Sequence, residues 1–295
     1  METLLLIFNP YTGGNKLKNK LHEMICRFSE AGYLLHVYPT TGPGDARRMA
    51  QEHGAGHDLV VCCGGDGTLN EVVDGLLCHQ PMPRLGYVPC GTTNDFAASL
   101  KLPKNNIMKA VERIVAPKAV MQCDVGLLNE RCFNYVAAFG ELTDVSYKTP
   151  QTFKNFLGYS AYLLEAMQRL PKLESHHARI VCDNGVYEDD YLFGLVANSA
   201  SVAGFTFPDK EQIHLDDGIF EMLLVKHPHN FGEMSEVSAA VLRGDVSSPL
   251  LTVTRVKHLE FVSDAPCSWS LDGEFGGMLT EASIQVKRQA LSICV

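Results

Sequence analysis

Hydrophobic positions along the first 125 residues change period repeatedly, and the changes predict the elements. "TLLLIFN" (3–9) is a continuous apolar run of strand length. "KLKNKLHEMICRFSEAG" then repeats at three and four residues. Leu17, Leu21, Met24, Ile25 and Phe28 share one helical face, and Gly32 is the stop. The alternation continues with a strand at 33–40, a short helix at 44–54, a strand at 58–63, a helix at 69–79, a strand at 84–91 and a short helix from Asn94. Strands alternating with helices predict βαβ units and a mostly parallel sheet. In such sheets ligands collect at the carboxyl ends of the strands.

After about residue 120 the texture changes. "KAVMQCDVGLLN", "RCFNYVAAFG", "ARIVCDNGVYEDDYLFGLVANS", "GIFEMLLVKH", "VKHLEFVS" and "ASIQVKRQALSICV" predict strands separated by turns. Helices are expected at 159–170 and 230–243. A mainly antiparallel second domain follows, with a β-sandwich as its form. The boundary near 125 lacks linker composition, so the two domains are expected to share a cleft.

Composition narrows the function classes. Of 295 residues, 46% are hydrophobic and 20% charged, an ordinary globular balance. The formal net charge of −9 argues against nucleic acid as a partner and against a polybasic membrane anchor. The apolar core of "METLLLIFNP" is too short for a signal sequence and has no basic flank. No apolar run approaches the ~18 residues of a membrane span. The 10 cysteines include no CxxC and read as small buried hydrophobes in a reducing cytosol. A soluble cytoplasmic protein is expected, with peripheral membrane contact at most.

Three polar loops follow strands. In "GGDGT", Gly64, Gly65 and Gly67 permit positive φ and an anion nest, and the helix expected near Leu69 adds its dipole. Thr68 and Asn70 supply side-chain donors. Asp66 would repel bare phosphate. It makes sense beside a divalent cation, or as a proton acceptor for an attacking hydroxyl. A plain strand–helix turn with Asp66 as N-cap is the alternative. "NPYTGG" offers Asn9, Thr12, Gly13 and Gly14 for phosphate, or is a simple βα turn. "PCGTTNDFA" (89–97) crowds Thr92, Thr93, Asn94 and Asp95 at a third strand end, where helix capping would also account for them. Neither GxxxxGK[ST] nor GxGxxG occurs, so metal must carry more of the charge neutralisation. "LDDG" (215–218) and "LDGE" (271–274) read on their own as hairpin turns. The histidines of 176–177 and 227–229 lack a third partner at metal spacing. Cys90 reads as a small buried residue more than as a reactive thiol.

"GGDGTLNEVVDGL" followed by "PCGTTNDFA", with "NPYTGG", "CDVG" (123–126), "AGF" (203–205), "LDDG" and "LDGE" in this order, resembles the diacylglycerol kinase catalytic family, and within it the soluble bacterial lipid kinases. The resemblance runs nearly end to end. It implies an α/β nucleotide-binding domain of NAD kinase/phosphofructokinase type at 1–125, joined by a C-terminal return of about 282–295. A β-sandwich lipid-substrate domain at 126–281 completes it. It implies ATP contacts from Asn9, Pro10, Tyr11, Thr12, Gly13, Thr40, Gly65, Asp66, Gly67, Thr68, Leu69, Asn70, Glu71 and Thr92. It implies Asp272 as catalytic base with Asp66 as rival, and Glu274 as a neighbour that joins the nucleotide-binding set. A structural Mg²⁺ would sit at Asp217 with backbone oxygens of His214 and Ile219, and Asp66, Asp95 and Asp124 would form a further acid–water–Mg²⁺ network. The implied reaction converts a membrane diacylglycerol to phosphatidic acid at the inner membrane face, and the resemblance leaves a homodimer open. Phosphatidylglycerol or a sphingoid base as acceptor, and an NAD kinase, are the alternatives. The segment 148–172, with Phe153, Phe156 and Tyr159, is either a packed helix or a lipid-dipping cover.

Overall fold

The structure, a computed structural model, describes residues 1–104, 106–140, 174–202, 205–208 and 210–295. The helix expected at 159–170 and the segment 148–172 lie outside these residues. The chain divides into two compact units, Met1–Val125 with Arg288–Val295, and Gly126–Lys287. The C-terminal return therefore begins at Arg288, a little after the position expected from sequence.

In the first unit, β1 (Thr3–Phe8), β2 (Leu34–Pro39), β3 (Leu59–Gly64) and β4 (Arg84–Pro89) are parallel, in the order β2-β1-β3-β4. Ile293, near the chain end, pairs in parallel with Leu85 at the β4 edge. Strand period sorts the apolar runs onto two faces. Leu4, Leu6, Phe8, Leu59, Val61 and Cys63 share a core with Leu17, Met24 and Phe28 of α1 (Asn15–Glu30) and with Ala110, Val111 and Ile114 of α5 (Ile107–Val115). Each such fully buried aliphatic or phenyl group contributes ~1.5–3 kcal/mol. α1 ends in a Schellman motif. Tyr33 N–H donates to the Phe28 carbonyl, Gly32 N–H donates to that of Ser29, and the Tyr33 ring packs edge-on against Phe28. The alternate strand residues face the other way. α2 (Asp45–His53) and α3 (Asp66–Leu76) pack against each other, and α3 buries Leu69, Val72, Val73 and Leu76. α4 is the short helix Asp95–Ser99. No helix was expected at α5, which spans only nine residues and is capped at Asn106, whose side chain accepts from Lys109 N–H.

The second unit is built of antiparallel pairs. Its strands are the end of β5 (Val120–Leu128), β6 (Arg131–Phe133), β7 (Val136–Gly140), β8 (His176–Cys182), β9 (Gly185–Ala197), β12 (Phe220–Lys226), β13 (Leu251–Val256), β14 (His258–Leu271) and the larger part of β15 (Glu274–Cys294). A small separate ribbon pairs β10 (Ser201–Val202) with β11 (Phe205–Thr206), and α6 spans Phe231–Arg243. Two long strands organise it. β9 pairs with β8 through residues 185–191 and with β7 through 193–197. β14 pairs with β8 through 259–263 and with β7 through 269–271. The path β7-β9-β8-β14 thus closes on itself around Phe139, Phe261 and Trp269, whose ring centroids lie 4.8–5.2 Å apart. Among the described residues no helix is long and apolar enough to cross a membrane.

Candidate active site

Three loops at the carboxyl ends of β1, β3 and β4 meet in the first unit. Asn9 ties the first to the second: its N–H donates to the Cys63 carbonyl at 2.9 Å, and its Nδ2 reaches Thr68 Oγ1 at 3.4 Å. Asn9 Oδ1 accepts from Tyr11 N–H at 2.9 Å, an Asx turn that shapes the loop. Gly13 has φ 76° and lies so close to the third loop that a Cβ there would stand 3.0 Å from the Cys90 carbonyl oxygen. Gly65 and Gly91 pack backbone to backbone, and a Cβ on Gly91 would meet Gly65 Cα at 2.6 Å.

Positive φ does not occur where the sequence placed it. Gly65 has φ −91°, and neither Gly64 nor Gly67 is left-handed. α3 starts at Asp66, three residues earlier than expected, so "GDGT" forms its first turn and not an anion nest. Within the three loops, positive φ falls instead on Gly13, Gly14 and Asn94. Gly64 and Gly65 are small for room: a Cβ on Gly64 would strike Thr68. No side chain caps α3 at Gly65, and the positive end of its dipole lies where the helix leaves the second loop.

Asp66 does not cap its own helix. Its Oδ2 accepts from Thr93 Oγ1 and from Asp95 N–H, both at 3.2 Å, and so joins the second loop to the start of α4. Asp95 is exposed, with Lys104 Nζ 3.9 Å from its Oδ1. Asp124 is wholly buried, and its Oδ1 accepts from Gln289 N–H at 2.7 Å on the returning chain. Among the described residues no three His, Cys, Asp or Glu side chains gather as a metal cage, so Asp66, Asp95 and Asp124 are not one compact ligand set.

The remaining predicted nucleotide residues divide. Pro10 and Tyr11 are exposed, Tyr11 at 83%. Thr12 and Asn70 are half-buried and Thr92 is exposed. Leu69 is 0% exposed, in the core, and its N–H donates to the Gly65 carbonyl, so its side chain cannot meet a ligand. Glu71 accepts from Gly44 N–H at 2.8 Å and Ala46 N–H at 3.2 Å, holding the start of α2. Thr40 is buried at the end of β2.

Two residues organise these loops, Asn94, expected only as a crowded or capping residue, and Asp45, which the sequence did not single out. Asn94 is buried with φ 49°, and brackets Gly91 by accepting its N–H at 2.9 Å and donating to its carbonyl at 2.8 Å. Asparagine tolerates that conformation better than most residues. Asp45 gathers Thr41 N–H, Thr41 Oγ1, Tyr38 OH and Arg48, and the Thr41 backbone donor leads the causes that hold its carboxyl down at about 2. Only the tertiary contacts single these two out from other Asn and Asp residues near glycines.

In the second unit, Asp272 and Gly273 (φ 50° and 88°) form the two-residue loop between Leu271 and Glu274, with the sign pattern of a type I′ turn. The Asp272 side chain turns back into the protein and is 5% exposed. Oδ2 accepts from Asn134 N–H at 2.7 Å, and Oδ1 from Tyr135 N–H at 3.0 Å and Val136 N–H at 3.1 Å. A carboxylate offers about four acceptor positions, so these three donors orient it firmly. Glu274 is exposed at the start of β15.

"LDDG" is not a hairpin. Asp217 Oδ1 accepts from Ile219 N–H at 2.9 Å in an Asx turn that leads into β12. His214 is exposed on the same loop. Behind it, Glu221 is 4% exposed. Its Oε1 faces Arg255 Nε at 3.3 Å, while its buried Oε2 has no hydrogen-bond partner. Burial foremost, with a contribution from the negative Asp217, pushes the Glu221 carboxyl up to about 7. A buried carboxylate oxygen lacking a donor near a second carboxylate fits a cation with its water shell. The oxygen-only donors Asp217, His214 O and Ile219 O fit Mg²⁺ in kind.

Glycine-spaced loops around a helix N-terminus, with carboxylates near them, suit a phosphate group and a divalent cation. Residues 3–128 match the diacylglycerol kinase catalytic domain. The chain is 34% identical to the diacylglycerol kinase of Bacillus subtilis (strain 168) across 98% of its length and 95% of the relative's. It is likewise 34% identical to that of Staphylococcus carnosus (strain TM300), over 96% of this chain and 92% of that one. A solved diacylglycerol kinase structure from Bacillus anthracis str. Sterne superposes with a TM-score of 0.78 at 26% identity, covering 99% of this chain and 96% of that one. The chain belongs to the diacylglycerol kinase family.

Proposed function

We propose that this protein transfers the γ-phosphoryl group of ATP to the free hydroxyl of diacylglycerol, yielding phosphatidic acid and ADP. The observation that carries the reading is the convergence of three loops, through Asn9–Thr68, Gly13–Cys90 and Gly65–Gly91, around the uncapped start of α3. Backbone from Asn9 to Gly13 and the first turn of α3, with Thr68, Asn70 and Thr92, hold the phosphates. Tyr11, Thr40 and Glu71 act on the nucleotide through the loops they shape. Bound Mg²⁺ would supply the charge neutralisation that a P-loop lysine provides elsewhere. Asp66, Asp95 and Asp124 would position it through water. Asp217, with His214 O and Ile219 O, would hold a second, structural Mg²⁺.

Asp272 takes the proton of the attacking hydroxyl as the new P–O bond forms and the bond to ADP breaks. Its three N–H donors fix the carboxylate's direction, and Glu274 stands beside it. The lipid is met at a membrane surface, on the cytoplasmic face where ATP is supplied. The test is transfer of labelled phosphate from Mg·ATP to diacylglycerol in mixed micelles, with phosphatidylglycerol, a sphingoid base and NAD as parallel arms. Label in phosphatidic acid alone supports the reading. Label in NAD or in another lipid instead overturns the substrate assignment.

A further inference from the structure

The sequence offers ten cysteines, and the fold brings Cys63 and Cys90 together at the base of the loop cluster, with their sulfurs 3.4 Å apart. Cys63 is the last residue but one of β3, a strand buried throughout, and is 0% exposed, while Cys90 follows β4 and is half-buried. Their backbones hold the loops themselves. The Cys63 carbonyl accepts Asn9 N–H at 2.9 Å, Cys90 N–H donates to the Gly64 carbonyl at 2.8 Å, and the Cys90 carbonyl abuts Gly13. An S–S bond is about 2.05 Å long, so the sulfurs must close by about 1.3 Å, and that movement pulls on all three loops.

We propose that Cys63 and Cys90 form a reversible disulfide under hydroperoxide that switches off nucleotide binding at this cluster. The inference rests on the nucleotide role proposed above. Peroxide oxidises the Cys90 thiolate to a sulfenic acid, and one peroxide oxygen leaves as water. The Cys63 sulfur then attacks the sulfenic sulfur. The S–S bond forms, hydroxide departs and takes the Cys63 proton, and a second water results. A dithiol reductant restores both thiols by exchange. The Cys63 S–H donated to Cys90 holds the Cys90 thiol below its ordinary value, while the same contact and burial raise Cys63, which suits Cys90 as the first sulfur attacked. Cys62 lies on the opposite face of β3, and burial raises its thiol, so it is not a competing partner.

The full chain is treated with hydrogen peroxide, digested with trypsin without reduction and analysed by mass spectrometry. Cleavage after Arg84 separates the two cysteines into peptides 49–84 and 85–101. The expected result is a cross-linked pair mapped to Cys63–Cys90, with at least a tenfold rise in the Kd for Mg·ATP that dithiothreitol reverses. Cys63→Ala and Cys90→Ser, each compared with itself before and after peroxide and checked by melting, should show neither change. No cross-link, an unchanged Kd in cross-linked protein, or an equal loss in both variants overturns the proposal. If the reduced protein takes up no Mg·ATP, the proposed function is what fails. The cross-linked peptide and its shift in melting temperature then decide the cysteine pair.

Discussion

The two candidate halves of the chemistry are built on opposite plans. In the first unit the site is made of backbone brought close by missing side chains: Gly13 against Cys90, and Gly65 against Gly91, below a helix start that no side chain caps. In the second unit Asp272 is a buried carboxylate already holding three backbone N–H groups. On the proposed roles the first plan presents backbone to the nucleotide, so damage there should appear mainly as lost affinity. On the same proposed roles the second gives one side chain both an architectural and a chemical duty, so damage there should appear in turnover and folding together.

The sharpest test of that contrast compares Asp272→Asn with Asp66→Asn. Asp272→Asn should lower kcat by roughly 10²–10⁴, the range for loss of a general base, with the Kd for Mg·ATP nearly unchanged. An amide nitrogen facing a backbone N–H should also cost ~1–3 kcal/mol of stability. Asp66→Asn should weaken Mg·ATP as well as turnover, with little change in melting. Calorimetric titration, turnover and thermal denaturation read all three quantities. Near-normal kcat in Asp272→Asn would transfer the base to Asp66.

A smaller effect is expected from forcing the loops apart. Gly91→Ala puts a Cβ 2.6 Å from Gly65 Cα, a backbone atom that cannot swing aside. The cost should be ~1–3 kcal/mol, the usual overpacking range, expressed as about a 10-fold or greater rise in the Kd for Mg·ATP. Asn94→Gly keeps the left-handed backbone but removes both bonds to Gly91, and should cost ~1–2 kcal/mol by denaturant unfolding. If Asn94→Gly is neutral, the third loop is held by its glycine contact alone.

In the second unit, Mg²⁺ should raise the melting temperature of the wild type but not of Asp217→Ala. An equal rise in both would remove Asp217 from the metal role.

The smallest effect is a pH dependence in the first unit. The Asp45 carboxyl is lowered from 3.8 to about 2, so its contribution to stability is complete above about pH 4 and disappears as pH falls from there toward 2. Melting curves of wild type and Asp45→Asn should converge across that interval and differ above it. Curves that stay parallel would show that Asp45 is not held as described.

How much was legible beforehand can be judged residue by residue. The apolar runs at 3–9 and 58–63, the helical face Leu17–Phe28 and its stop at Gly32 were determined by sequence, because period and local stop signals act over a few residues. So was the presence of three polar loops after three strands, and the order of motifs that marks the family. Sequence could not decide how those loops meet. Gly64, Gly65 and Gly67 look identical as letters. Contact with Thr68 and Gly91 makes two of them small for space, while α3 absorbs the third. Leu69 and Glu71 sit inside a phosphate-loop motif, yet the fold uses one for the core and the other for the start of α2. Asp272 and Asp217 both precede glycine. One lies in a two-residue hairpin and reaches Asn134–Val136, more than 130 positions away, while the other closes an Asx turn within two residues. Cys63 and Cys90 are 27 residues apart, and only the pairing of β3 with β4 puts their sulfurs in contact. Local period and turn chemistry are encoded in neighbouring residues. The partners of a buried carboxylate, a close-packed glycine or a thiol are set by chain segments distant in sequence, so only the folded chain supplies them.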